Sequence, residues 1–169
     1  MTETAYTRVK FDGKTVNART RDALKYAEAL WRKRGGHKLS IRLAQGSYAA
    51  SSGNRVQASG STHDGGGVVD VRTAGVGLDA QQTKDLNRAL RDAGFASWIR
   101  DSRDGMDPHI HAIAVGDREM AASAARQVTG PGGFDAGRNG LNNAAKDRNA
   151  YRPSPPLRFS YKQGKPVPR

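Results

Sequence analysis

The chain has 169 residues, 36% of them hydrophobic and 26% charged, with twenty glycines and no cysteine. That length suits one domain with an ordinary core rather than two, and the lack of thiols excludes disulfides and Cys-ligated zinc. Lysine and arginine number 28 against 16 acidic residues, a net charge of +12, and no run of about eighteen apolar residues is available to cross a bilayer.

The excess charge sits at the two ends. Residues 1 to 40 hold ten basic and four acidic side chains, and residues 146 to 169 hold seven and one. Basic flanks of this kind attract a polyanion, whether nucleic acid, an acidic membrane surface or a teichoic-type wall polymer, or else serve only to solvate the surface. The first ten residues lack the apolar run of a secretory signal, so the expectation is synthesis in the cytoplasm and action elsewhere only after release.

In chain order, Ala23, Leu24, Ala27, Leu30 and Trp31 recur at helical spacing behind Thr20 as N-cap, which predicts a helix over 20–34 ended by Gly35-Gly36. Leu39 to Gln45 alternates as a half-buried strand, with Leu39, Ile41 and Leu43 on one face. Gly46 to Gly67, rich in Gly, Ser and Ala, reads as a long loop over a site. Val68 to Arg72 is a short strand. Asp79 and Gln82 form a capping box for a helix through Ala93, with Gly94 as its stop.

Phe95 to Arg100 and His109 to Val115 read as an antiparallel pair of strands separated by the turn-forming 101–108 segment. A third helix runs from Asp117 to Val128, placing Met120, Ala121, Ala124, Ala125 and Val128 inward until Gly130-Pro131-Gly132-Gly133 breaks it. This order predicts an α+β fold, a small antiparallel sheet flanked by helices. Residues 1–142 would form the domain, and 143–169 a basic, Pro-rich, extended tail.

Two segments carry the chemistry. Gly60-Ser61-Thr62-His63-Asp64-Gly65-Gly66-Gly67-Val68-Val69-Asp70 and Asp107-Pro108-His109-Ile110-His111 contain three of the four histidines. Side chains two apart on a strand share a face, so His109 and His111 project together, and only one of them need touch a metal. Glycines 65 to 67 let the backbone turn so that His63 approaches Asp70. Two histidines and a carboxylate fit a catalytic zinc site, which takes three protein ligands and keeps a position open.

Ser61-x-His63-x-x-Gly66-x-Val68-x-Asp70 with His109-Ile110-His111 resembles the S-x-H-x-x-G-x-A-x-D and H-x-H signature of the LAS metallopeptidases. These include D-Ala-D-Ala carboxypeptidases, peptidoglycan endopeptidases and the hedgehog domain. Gln45-Gly46-Ser47-Tyr48 and Gly137-Arg138-Asn139-Gly140 are similar to segments of the phage-lysin and actinobacterial cell-wall peptidase branch. The resemblance covers roughly residues 15 to 140. It implies zinc held by His63, Asp70 and His111, with His109 acting on water or the oxyanion. The implied function is zinc-dependent hydrolysis of peptidoglycan peptides by an endolysin-like enzyme; the charge distribution adds the expectation that the basic termini hold an anionic wall polymer, and the protein is expected to be a monomer.

Two positions depart from that pattern. Val68 replaces a small residue, and Pro108 stands where many members carry a glutamate base, which passes the role to His109, with Asp107 the weaker candidate. Gln45, Arg42 or Arg100 would supply an oxyanion donor, Gln45 being favoured at its strand end. Tyr48 either lines the cleft or packs the loop. Trp98 reads as core. The loss of glutamate at Pro108 also motivates a non-catalytic zinc-containing binding module. Charge alone motivates a nucleic-acid binder, for which the chain offers no recognised motif and few aromatics to stack bases.

Overall fold

The computed structural model describes residues 2–35, 38–53 and 60–169. Strands β1 (Arg8–Phe11) and β2 (Lys14–Asn17) form an antiparallel hairpin. Asp12 and Gly13 at its tip both adopt positive φ, 48° and 73°, the geometry that a two-residue hairpin turn demands of an Asp-Gly pair. This hairpin lies outside the elements expected from the sequence.

Helix α1 covers Ala18–Gly35. It begins two residues before the expected start because Asn17 is the cap: its Oδ1 accepts a hydrogen bond from the Thr20 amide at 2.8 Å. Thr20 itself is buried inside the helix. Gly36 and His37 lie outside the described residues, as do 54–59 of the expected 46–67 loop. The described parts of that loop contain a one-turn helix α2 (Ala49–Ser52) and a 3-10 turn at Thr62–Asp64.

A four-stranded antiparallel sheet is the frame of the molecule. Its strands are β3 (Leu43–Gln45), β4 (Val68–Arg72), β5 (Phe95–Arg100) and β6 (His109–Ala114), in the order β3-β4-β6-β5. β3 is shorter than the predicted strand, yet the alternation holds: Ile41 and Leu43 are buried, Leu39 packs on the same core, and Ser40, Arg42 and Ala44 are exposed. β4 and β5 have their expected bounds, and β6 ends one residue early.

Strand alternation sorts the two faces of the sheet. Val69, Val71, Ile110, Ala112, Ala114 and Phe95 pack on α1 and on α3 (Ala80–Asp92) in the larger core, around Leu24, Trp31, Leu86 and Leu90. Val68, Ala96, Trp98 and Ile113 face the other way, onto Ala124 and Val128 of α4 (Ala122–Thr129) and onto Phe134. Asp79 caps α3 in the predicted box, accepting from the Gln82 amide at 2.7 Å while the Gln82 side chain accepts from the Asp79 amide at 2.9 Å.

α4 starts five residues later than expected. The Asp117 carboxylate is held by Asn17 Nδ2 at 2.7 Å and by the Glu119 amide at 2.8 Å, which fixes a turn where a first helical turn was predicted. The region beyond Asn142 also differs from the extended tail expected. Strands β7 (Leu157–Ser160) and β8 (Lys165–Pro168) form a second hairpin, and Phe159 is buried in the larger core. The segment leading to it is held by Arg91 of α3, which donates to the carbonyls of Asn149 and Tyr151 and to Asp147 Oδ2. The fold is α+β, with small antiparallel sheets and helices. No helix among the described residues is long and apolar enough to cross a membrane.

Candidate metal centre

The register of the central strands builds the centre. Asp70 of β4 lies directly opposite His111 of β6, and Gln45 of β3 lies opposite Asp70 on its other side. All three therefore project from the face that also carries Val68 and Ile113. The 3-10 turn ahead of β4 brings His63 over the same face. One ligand atom from each of His63, Asp70 and His111 fits within a 4.8 Å span. His63 Nε2 is 3.2 Å and His111 Nδ1 2.9 Å from Asp70 Oδ1. Donors bound tetrahedrally at zinc distances sit about 3.3 Å apart, so the two spacings to Asp70 are within a few tenths of an ångström of those in a zinc cage.

Hydrogen bonds on the far side of each ring decide which nitrogen carries the proton. The Gly46 carbonyl accepts from His63 Nδ1 at 2.8 Å, so in the neutral ring Nε2 carries the lone pair, and that buried atom makes no hydrogen bond among the described residues. Gln127 Nε2 donates to the Gly140 carbonyl at 3.0 Å, so its Oε1 accepts from His111 Nε2, at 2.8 Å. Burial pushes the His111 imidazolium down, keeping the ring neutral despite the opposing pull of Asp70. A neutral ring has one proton, and Gln127 takes it.

His111 Nδ1, His63 Nε2 and Asp70 Oδ1 are thus three acceptors converging on one point. Such an arrangement is costly in a buried place unless a cation lies between them. Metal binding requires a deprotonated carboxylate and bare ring nitrogens, and outer hydrogen bonds that fix the ring tautomer are what metal-ligating histidines show. The residues present fit a zinc ion.

His109 stands beside this cage. Its Nδ1 donates to the Asp107 carbonyl at 2.7 Å, and its Nε2 lies 3.8 Å from Asp70 Oδ1 on a partly exposed ring. Asp107 therefore contributes through its main chain: its side chain is exposed, and the expectation of a carboxylate base there gives way to an orienting carbonyl. Arg100 lies opposite His109 in the β5–β6 register, stacks on Trp98 at 5.0 Å, and has a buried Nη2 without a hydrogen-bond partner among the described residues. Burial lowers it to about 10, against the pull of Asp104, Asp147 and Asp70, so it is a fixed cation at neutral pH.

Two other candidates are held elsewhere. Arg42 pairs with Asp12 at the tip of the first hairpin, Nε to Oδ1 at 3.0 Å. Tyr48 is buried, donating to Glu119 Oε1 at 2.9 Å and accepting from Asn17 Nδ2 at 3.1 Å, and this burial pushes its phenol up. Tyr48 packs the loop, the second of its two expected roles. Trp98 is core, as expected, with its ring stacked on His111 at 6.1 Å and its Nε1 donating to the Arg138 carbonyl at 2.9 Å.

The glycines explain how the loop reaches the strand. A Cβ on Gly65 would lie 2.2 Å from the Glu119 carbonyl oxygen, and one on Gly140 would lie 3.0 Å from the Trp98 ring at a φ of +72°. Gly46, whose carbonyl orients His63, is clamped against Thr15 of β2, which accepts from the Ser47 amide at 2.8 Å. Gln127 was not foreseen from sequence, although one signal was present: a polar side chain inside the Ala124, Gln127, Val128 stripe that faces the core. Comparison with protein-family models, with curated proteins and with solved structures gives no match.

Proposed function

We propose that this protein is a zinc-dependent peptidase acting on the peptides of bacterial peptidoglycan. The convergence of three lone pairs, from His63, Asp70 and His111, with each imidazole's second nitrogen already anchored, is the observation that carries the reading. The choice of peptidoglycan, and of a fold like that of the LAS metallopeptidases, rests on the motif resemblance.

When bound, zinc lowers the pKa of water from 15.7 towards about 7 and polarises a carbonyl. The chain's own groups do the rest. His109 Nδ1–H on the Asp107 carbonyl leaves Nε2 as a proton acceptor beside the cage, so Nε2 takes a proton from water and returns it to the departing amine. Arg100 offers a desolvated positive charge on the same face, suited to a peptide carboxylate or a developing oxyanion. Gln45, next to Asp70 in the register, is the neutral donor candidate.

Hydrolysis of purified cell walls tests the reading. Turnover should cease on chelation and return with zinc. The presence of Pro108 where a glutamate base is common favours one other reading, a zinc-containing binding module. Stoichiometric zinc without any hydrolysis of walls or stem peptides would decide for it.

A further inference from the structure

The two basic ends of the chain, 140 residues apart, meet in one place. A cavity of about 440 Å³ is lined by Tyr6 and Arg19 from the amino-terminal part, Gly116 and Arg118 after β6, and Arg158 and Lys162 of the carboxy-terminal hairpin. No acidic side chain is among the described residues that line it. The nearby carboxylates are engaged: Glu3 by Arg21 and Tyr161, and Asp117 by Asn17 and the Glu119 amide.

Arg19 is the floor of this cavity. The residue is 4% exposed, Nε donates to the Phe159 carbonyl at 3.1 Å and Nη2 to that of Val115, while buried Nη1 has no partner among the described residues. The side chains of Arg118, Arg158 and Lys162 are exposed and make no hydrogen bond or ion pair among the described residues. Folding has gathered four cations around a hollow, and the one carboxylate that acts on Arg19, Asp117, is buried behind it and hydrogen-bonded to Asn17 and the Glu119 amide. Such a cluster is self-repelling, and an oxyanion on the guanidinium fork relieves it.

We propose that this cavity binds a phosphodiester group of an anionic polyol-phosphate polymer, holding the protein to the cell wall at a site separate from the metal centre. The cavity takes one phosphate and its flanking polyol, whereas a base-stacking strand needs a groove tracking at least about four nucleotides. The anion site stands on the geometry alone; the choice of a wall polymer rests on the peptidase reading.

Titration calorimetry at low and high salt tests it, with inorganic phosphate, a poly(glycerol phosphate) oligomer and a single-stranded DNA of equal charge as probes. The native protein should bind the polyol phosphate more tightly than either of the others, with affinity falling as salt rises. Arg158→Glu with Lys162→Glu, both exposed positions, should weaken that binding by at least about tenfold, the loss of a charge-assisted contact. Zinc content and hydrolysis of a soluble stem peptide should stay unchanged, while co-sedimentation with intact walls falls. Arg19→Gln, with its fold checked by circular dichroism, should abolish phosphate binding. Unchanged affinity in the double variant would overturn the site, and tighter binding of DNA would overturn the polymer. If wall-peptide hydrolysis fails while phosphate binding behaves as described, the peptidase reading falls and the anion site stands.

Discussion

At the scale of single residues, the second nitrogen of each ligand histidine matters as much as the first. Gln127 is fixed by the Gly140 carbonyl, so it can only accept from His111, and this one amide sets the tautomer that turns Nδ1 towards Asp70. Gln127→Leu keeps the volume and removes the acceptor. Zinc affinity, measured by competition with a chelating dye, should drop about 10–100-fold, with the fold retained. The same residues give the metal-free protein a definite pH response. Burial holds His111 below 6.5, so across that window the unfolded chain binds more protons than the folded one. Stability is therefore fully present above about pH 6.5 and decreases as pH falls, first as His111 is protonated in the unfolded state and then through its depressed folded value. Thermal melts of chelated protein should show a lower Tm at pH 5.5 than at pH 8. A Tm flat across that interval would contradict a neutral, buried His111.

At the scale of elements, the centre depends on how tightly the 60–67 segment can approach β4. Gly65→Ala would drive a Cβ to within 2.2 Å of a carbonyl oxygen on the turn before α4. It should cost about 1–3 kcal/mol in denaturant unfolding and weaken zinc binding as His63 is displaced. This approach was legible in the glycine run, just as the β4 and β6 alternation was legible in Val68 to Arg72 and in His109-Ile110-His111, because a period of two with one polar face has few other solutions. The capping box of α3 was legible for a similar reason: its signal is local and complete within four residues. Elements whose signals lie outside them were not. Thr20 and Asn17 are both cap-forming types, and only the tertiary network that ties Asn17 to Asp117 and Tyr48 shows which one starts α1. The Asp12-Gly13 turn was a readable hairpin signal, masked by the charged strands on either side of it.

At the scale of the whole molecule, the region after Asn142 closes the structure. Its proline content argued against packed strands, but among the described residues β7 and β8 pair only with each other, so each is an edge strand and tolerates Pro166 and Pro168. Composition could not reveal that Phe159, in the same basic stretch, inserts into the core between the helices and the sheet. Phe159→Ala should therefore destabilise the entire protein by about 3–5 kcal/mol in urea unfolding, whereas a solvated tail would leave the midpoint unmoved. On the face of the sheet turned away from Phe159, His63, Asp70, His111 and His109 come together from both halves of the chain. Elemental analysis of the purified protein beside its His63→Ala, His111→Ala and His109→Ala variants, with hydrolysis assayed on each, tests this most directly. The native protein and His109→Ala should each carry one zinc, His109→Ala being slower by about 10²–10⁴-fold, while the two ligand variants should lose both metal and activity. Equal zinc in all four proteins, or none in the native one, would contradict the account.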